Sequence, residues 1–177
     1  MKILALAASN SLKSINKDLI KYASSLIPDG DIEFLDINDY EMPIYSIDLE
    51  EKQGIPDPAS RFLDKIAKVD ALLISLAEHN GNYTVAYKNL FDWATRVNQK
   101  VYQDKPLVFL STSPGPGGAR SVLSLAVESA HYFAGKVVAS LSIPEFFKNF
   151  DTDKGLLTND LLVKQLKDTL SHLQDNK

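Results

Sequence analysis

Five short apolar runs recur along the chain, at 2–7, 32–37, 71–76, 106–110 and 137–141. The first, third and fourth are almost continuously apolar, the pattern of strands covered on both faces rather than wetted on one. Between and after them the period becomes helical, over 15–26, 59–68, 85–98, 119–133 and 159–173. The last of these sets Leu161, Leu162, Leu166, Leu170 and Leu173 on one side, with lysines and aspartates opposite. Two stretches break the pattern. Residues 38–58 hold Pro43, Gly54, Pro56 and Pro58, which rules out one continuous helix and predicts a binding loop or lid. Residues 143–155 form a second irregular piece carrying Phe146, Phe147 and Phe150.

Strands that alternate with helices predict βαβ units and a parallel sheet. Five of each match an α/β, flavodoxin-like, doubly wound five-stranded parallel sheet of order 2-1-3-4-5, with helices on both faces. At 177 residues the chain is read as a single domain, without linker or repeat.

Composition narrows the chemistry. A net charge of −4 predicts no broad basic field, and so no nucleic acid partner. With no cysteine there is no disulfide, thiolate nucleophile or cysteine-ligated cluster, so redox work needs a bound cofactor. His79, His131 and His172 lack metal-ligand spacing, and no metal is expected. No run approaches the roughly 20 apolar residues of a membrane span, and the first run is shorter than a signal-peptide core; a cytoplasmic protein is expected.

Three polar, turn-prone stretches follow the first, third and fourth runs, where an open parallel sheet places its ligand crevice. The first runs from Ala8 to Asn16. A helix N-terminus offers free N–H groups and a partial positive charge, and Ser9, Ser11, Ser14 and Asn16 add polar groups suited to a phosphate. Without glycine it suits a single phosphate better than a dinucleotide pyrophosphate. The plainer alternative makes Ser14 an N-cap and the other serines a solvated turn. The second stretch, Glu78-His79-Asn80-Gly81, has amide and backbone groups for the edge of a flat polar ring, or is a polar turn with Gly81 at an unusual φ. The third, Ser113-Pro114-Gly115-Pro116-Gly117-Gly118, has a stiff, closely approachable backbone, or simply starts a helix. Together they point to a phosphorylated planar cofactor, with FMN the leading candidate.

In order along the chain, these stretches resemble the NADPH-dependent FMN reductase family, from residue 1 to about 141. The family's G-S-x-R-x-x-S-x-N is matched by residues 8–16, with Ala8 for the glycine and Ser11 for the arginine. Its P-E-Y-N is matched by Ala77-Glu78-His79-Asn80. Its L-K-N-A-x-D-W is Tyr87-Lys88-Asn89-Leu90-Phe91-Asp92-Trp93, and its S-x-G-x-x-G-G-x-R is residues 113–120.

The resemblance implies non-covalent FMN, with Ser9, Ser14, Ile15 and Asn16 at the phosphate. Glu78, His79, Asn80 and Gly81 would meet the ring, and Ser113 and Gly115 its other edge. It implies hydride transfer from NADPH or NADH through the flavin to a small-molecule electron acceptor such as a quinone or free flavin. No catalytic side chain is assigned, because the flavin carries the chemistry. It also implies a homodimer or homotetramer. The helix over 83–97 carries a stripe of Tyr83, Tyr87, Phe91 and Ala94 beside one of Ala86, Leu90, Trp93 and Val97; the aromatic stripe is expected to face a partner subunit, the alternative being a wide core face under the long loop. The alternative function is a non-enzymatic electron carrier or redox sensor acting through a protein partner.

Overall fold

The structure, a computed structural model, describes residues 1–174. Its sheet has five parallel strands, β1 (Lys2–Ala8), β2 (Asp31–Leu35), β3 (Ala71–Leu76), β4 (Pro106–Thr112) and β5 (Lys136–Ile143). They lie in the order β2-β1-β3-β4-β5, as the alternation of strands and helices predicts. The principal helices are α1 (Ile15–Ser25), α2 (Asp57–Ala67), α3 (Val85–Val97), α4 (Arg120–Ser129) and α5 (Asp160–Gln174).

The period-two alternation of the strands feeds two cores. Leu4, Leu6, Leu72, Ile74, Leu107 and Phe109 face α2, α3 and α4 on one side. Ile3, Ala5, Leu73, Val108 and Leu110 face α1 and α5 on the other, meeting Leu19, Ile20, Leu162, Leu166 and Leu170. Both faces of β1, β3 and β4 are dry, which is why their sequences read as unbroken apolar runs. Each fully buried Leu or Ile contributes about 1.5–3 kcal/mol of transfer free energy.

Departures from the expected elements have local causes. β2 stops at Leu35 because the Asp36 carboxylate accepts from Asn38 N–H and caps a tight turn over Ile37–Tyr40. The expected helix 119–133 divides. Ala119 sits at φ 61°, α4 ends at Ser129, and Ala130–Phe133 winds more tightly. Within 38–58 a short helix, Ile47–Gln53, is capped by the Ser46 hydroxyl and ends at Gly54, φ 76°. None of its residues is buried, so it leaves no amphipathic signature. Residues 143–155 contain a helical turn, Phe146–Asn149, before Phe150–Asp151 pairs with Leu156–Leu157.

The aromatic stripe of α3 is a core face, the alternative to the expected partner contact. Tyr87, Phe91 and Ala94 are buried within this chain. The turn Ala130–Phe133 and the segment after α3 fold over them, so that Phe91 meets Phe133 at 4.8 Å and Tyr102 at 5.5 Å between ring centroids. The Tyr87 and Tyr102 hydroxyls lie 3.4 Å apart, and burial pushes both phenols up.

One surface cluster carries a pH signature. Hydrogen bonds from Lys2 and Lys65 hold the Glu33 carboxyl at about 2, below its ordinary 4.5. A carboxyl depressed by folding stabilises fully above its unfolded value and loses that contribution as pH falls through the folded one. Glu33→Gln is therefore expected to flatten the acid limb of the stability curve between pH 4.5 and about 2 and to lose the same contribution at pH 7, a modest one because the lysines are partly exposed. Urea midpoints of both proteins across that range check it; parallel acid limbs would remove Glu33 as the source.

Candidate functional site

The sheet register brings the three polar loops together. Ala8 of β1 lies beside Leu76 of β3, which lies beside Ser111 of β4. These are the last residues, or nearly so, of three laterally adjacent strands. The loops that follow emerge side by side at the carboxyl edge of the sheet, where doubly wound folds bind ligands.

In the first loop Ser9 and Ser14 are buried and Ser11 is exposed. The Ser9 hydroxyl accepts from Ser11 N–H at 3.3 Å. Ser14 occupies the N-cap position of α1 with extended φ and ψ, and its carbonyl accepts from Lys17 and Asp18. Its hydroxyl makes no capping bond, unlike the plainer sequence alternative. The first turn of a helix leaves N–H groups without intrahelical partners; here these are the outer N–H groups of Ile15 and Asn16. The Asn16 side chain turns inward. Ser75 Oγ donates to its Oδ1 at 2.8 Å and its Nδ2 donates to Thr112 carbonyl at 3.4 Å, leaving the residue 2% exposed.

The second loop is a tight hairpin. Glu78 pairs with Tyr83 and His79 with Asn82 around Asn80-Gly81, with φ of 54° and 77°. Two consecutive positive φ values are the requirement of a type I′ turn, and Asn-Gly supplies them at least cost. His79, Asn80 and Gly81 are exposed at the tip. Glu78 instead reaches the third loop. Its Oε2 accepts from Val122 N–H at 3.0 Å, in the first turn of α4. A carboxylate there satisfies a free donor and complements the positive helix end; Ala119, at the N-cap, has no side-chain group to do so. After the hairpin Thr84 caps α3 by accepting from Tyr87 N–H, while its hydroxyl donates to Ala8 carbonyl at 3.0 Å.

The third loop is held from below and open above. Ser111 and Ser142 hydroxyls both donate to Gly118 carbonyl, at 2.7 and 2.8 Å. Glu145 N–H donates to Gly115 carbonyl and Phe146 N–H to Ser113 carbonyl. Ser113 and Gly115 are half-buried. At Gly115 and Gly117 an added Cβ would meet nothing within 4 Å, so their outer surface is clear for a flat group.

Two cavities flank this edge. One of about 620 Å³ takes Asn10 from the first loop, His79 from the second, and Ile37, Tyr40, Met42 and Ile44 from the chain after β2. Its wall is fastened to α3. Asn89 accepts from Tyr45 N–H and donates to Met42 and Pro43 carbonyls, and Trp93 Nε1 donates to Pro43 carbonyl at 2.8 Å. Arg96 pairs with Glu50 farther along. Within the stretch 87–93, Asn89 and Trp93 thus act as anchors for the loop after β2. The other cavity, about 670 Å³, has Tyr83, Tyr87, Phe91 and Phe133 among its walls and Lys88, Asp92 and Arg96 at its rim.

All eleven residues singled out from the sequence, Ser9, Ser11, Ser14, Ile15, Asn16, Glu78, His79, Asn80, Gly81, Ser113 and Gly115, lie on these three loops or on the first turn of α1. The side chains of Asn16 and Glu78 are committed within the protein. Sequence reading missed Thr84, Asn10 and the Asn89–Trp93 anchorage. Thr84 had a signal, since a threonine directly before a helical run is an N-cap pattern.

The sequence profile of the NADPH-dependent FMN reductase family matches residues 1–147. An NADPH:quinone oxidoreductase of Arabidopsis thaliana is 30% identical over 98% of this chain and 90% of its own length. A 2-hydroxy-1,4-benzoquinone reductase of a Burkholderia species is 36% identical over 67% of this chain and 63% of its own. Among solved structures, FerB, a flavoenzyme NAD(P)H:(acceptor) oxidoreductase from Paracoccus denitrificans, superposes with a TM-score of 0.77 at 26% identity, over 98% of this chain and 95% of that one. The profile match takes in all three loops and α3 as well as all five strands of the sheet, and this chain belongs to the NADPH-dependent FMN reductase family.

Proposed function

We propose that this protein is an FMN-dependent NAD(P)H oxidoreductase of the quinone-reductase type, passing hydride from a reduced nicotinamide through bound FMN to a small acceptor. The observation that carries the reading is the side-by-side emergence of three donor-rich loops from register-matched strand ends. The residues suit FMN. A single phosphate matches the glycine-free turn before α1, with the N–H groups of Ile15 and Asn16 and a Ser14 hydroxyl not spent on capping. The hairpin tip His79-Asn80-Gly81 and the clear backbone at Ser113 and Gly115 suit the ring.

Bound FMN supplies the two-electron chemistry. This chain's residues bind and orient it. The α1 N-terminus fixes the phosphate with oriented N–H dipoles, Ser9 and Ser14 add hydroxyls, and the hairpin and the glycine-rich loop set the plane of the ring. The cavity of about 620 Å³, sharing Asn10 and His79 with those loops, has room for a small planar acceptor. Among the described residues no helix is long and apolar enough to cross a membrane. The reading includes a cytoplasmic homodimer or homotetramer. Exposed Leu12, Ile44 and Val85 around the site favour association, and light scattering on the flavin-loaded protein tests it.

The purified protein is expected to bind FMN, to oxidise NADPH or NADH when a quinone is added, and to need no protein partner. Oxidation only in the presence of a protein partner would favour the electron-carrier alternative. Ser14→Ala is expected to weaken FMN binding about tenfold, the effect of one hydrogen bond to a charged group. Its melting temperature should barely change, because the hydroxyl makes no cap. A loss of apo stability with unchanged flavin affinity in calorimetry would return Ser14 to a purely structural role.

A further inference from the structure

Three side chains join the three loops pairwise. Thr84, at the end of the hairpin, donates to Ala8 carbonyl at the start of the first loop, 3.0 Å away. Asn16, at the end of the first loop, donates to Thr112 carbonyl, just before the third. Glu78, at the start of the hairpin, accepts from Val122 N–H just after the third loop. Thr84 and Asn16 are 1% and 2% exposed, so these bonds are shielded from competing water. Each bond spans two different loops, and each uses a main-chain partner whose position is set by a strand end or a helix start.

We infer that Asn16, Glu78 and Thr84 are positioning residues that close the three loops into one rigid frame, and that Glu78 acts on the flavin through α4 instead of touching it. Two of the three stand in stretches that the family resemblance places at the phosphate and the ring. Their side chains have other work. The Asn16 amide is engaged on both its oxygen and its nitrogen, by Ser75 and Thr112, and Oε2 of the Glu78 carboxylate is held by the α4 N-terminus. Without that bond the first turn of α4 has a free donor, and Ala119 at φ 61° offers no substitute. The glycine-rich loop directly before α4 would lose one of its fixed ends. A frame of this kind lowers the ordering cost of binding, because the donors already stand where the ligand needs them.

The inference takes its ligand from the reductase reading, and two measurements separate the two. Glu78→Ala removes the acceptor; Glu78→Gln keeps a side-chain oxygen that can still accept from Val122. In the flavin-free protein, amide hydrogen exchange at Val122 is expected to quicken roughly tenfold in Glu78→Ala and to stay near the parent rate in Glu78→Gln. FMN titration, followed by flavin fluorescence, is expected to show roughly tenfold weaker binding in the alanine variant and near-parent binding in the glutamine variant. Thr84→Val and Thr84→Ser form a second pair on another side of the frame, with the serine restoring affinity. Unchanged Val122 exchange together with equal loss of FMN affinity in both Glu78 variants would make Glu78 a direct ligand and overturn the inference. So would alanine variants at parent affinity. A parent protein that binds no FMN overturns the reductase reading, and Val122 exchange still judges the frame.

Discussion

Gly118→Ala is expected to cost about 3 kcal/mol of folding stability and to weaken FMN binding with it. Two effects add. At φ +59° the backbone is left-handed, where an alanine Cβ costs about 1–2 kcal/mol. That Cβ would also run into Ser142 Oγ, and would sit 3.1 Å from Pro144 N and 3.2 Å from the Ile143 carbonyl carbon. The serine can rotate, but only by giving up its bond to Gly118 carbonyl; the Ile143–Pro144 backbone continues directly from β5 and has little freedom to move. Gly115→Ala serves as the control. Its Cβ meets nothing, so stability should hold, and any loss of flavin affinity there reports on the ligand surface itself. Urea denaturation of the flavin-free proteins measures both. A Gly118→Ala midpoint equal to that of the parent would mean that the third loop is not held against β5 as described.

Trp93→Ala is expected to have the second large effect, about 4 kcal/mol, in the range for deleting a fully buried aromatic side chain. Trp93 is 0% exposed and meets the Tyr45 ring edge-on at 5.0 Å. Trp93→Phe separates packing from hydrogen bonding. It keeps most of the ring and loses the N–H donated to Pro43 carbonyl. Asn89 Nδ2 also donates to that carbonyl, at 3.1 Å, so the oxygen keeps a partner and the cost should stay near 1 kcal/mol. Chemical denaturation followed by far-ultraviolet circular dichroism gives both values. A cost for phenylalanine as large as that for alanine would place the main contribution of Trp93 in its hydrogen bond.

How much of this was open to reading from the residues alone differs by level. The sheet was legible because β1, β3 and β4 are dry on both faces, which only long apolar runs satisfy. Sheet order then placed the loops, since a 2-1-3-4-5 topology sets the ends of β1, β3 and β4 side by side. What the loops' side chains do was not legible. Asn16 meets Ser75 and Thr112, 59 and 96 positions away, and Glu78 meets Val122, 44 away. No local periodicity encodes such partners. The Asn80-Gly81 turn carried its usual signal, but each arm of the hairpin is two residues long, too short to show alternation. The aromatic stripe of α3 misled for a related reason. Its cover comes from the turn Ala130–Phe133, which the helical period over 119–133 concealed.

The anchorage of the loop after β2 has a consequence for how this protein can change. Asn89 and Trp93 hold it by the carbonyls of Met42 and Pro43 and the N–H of Tyr45, groups that almost every amino acid possesses. Such bonds dictate a path and are indifferent to what the path carries. Glu41 and Ile44, exposed residues that line the cavity of about 620 Å³, are therefore separable from the scaffold that displays them, whereas Met42 also packs on the core. Mutation can exchange the lining while the mould keeps its shape, so the chemistry of this cavity wall is free to drift, or to be redesigned, at little cost to folding.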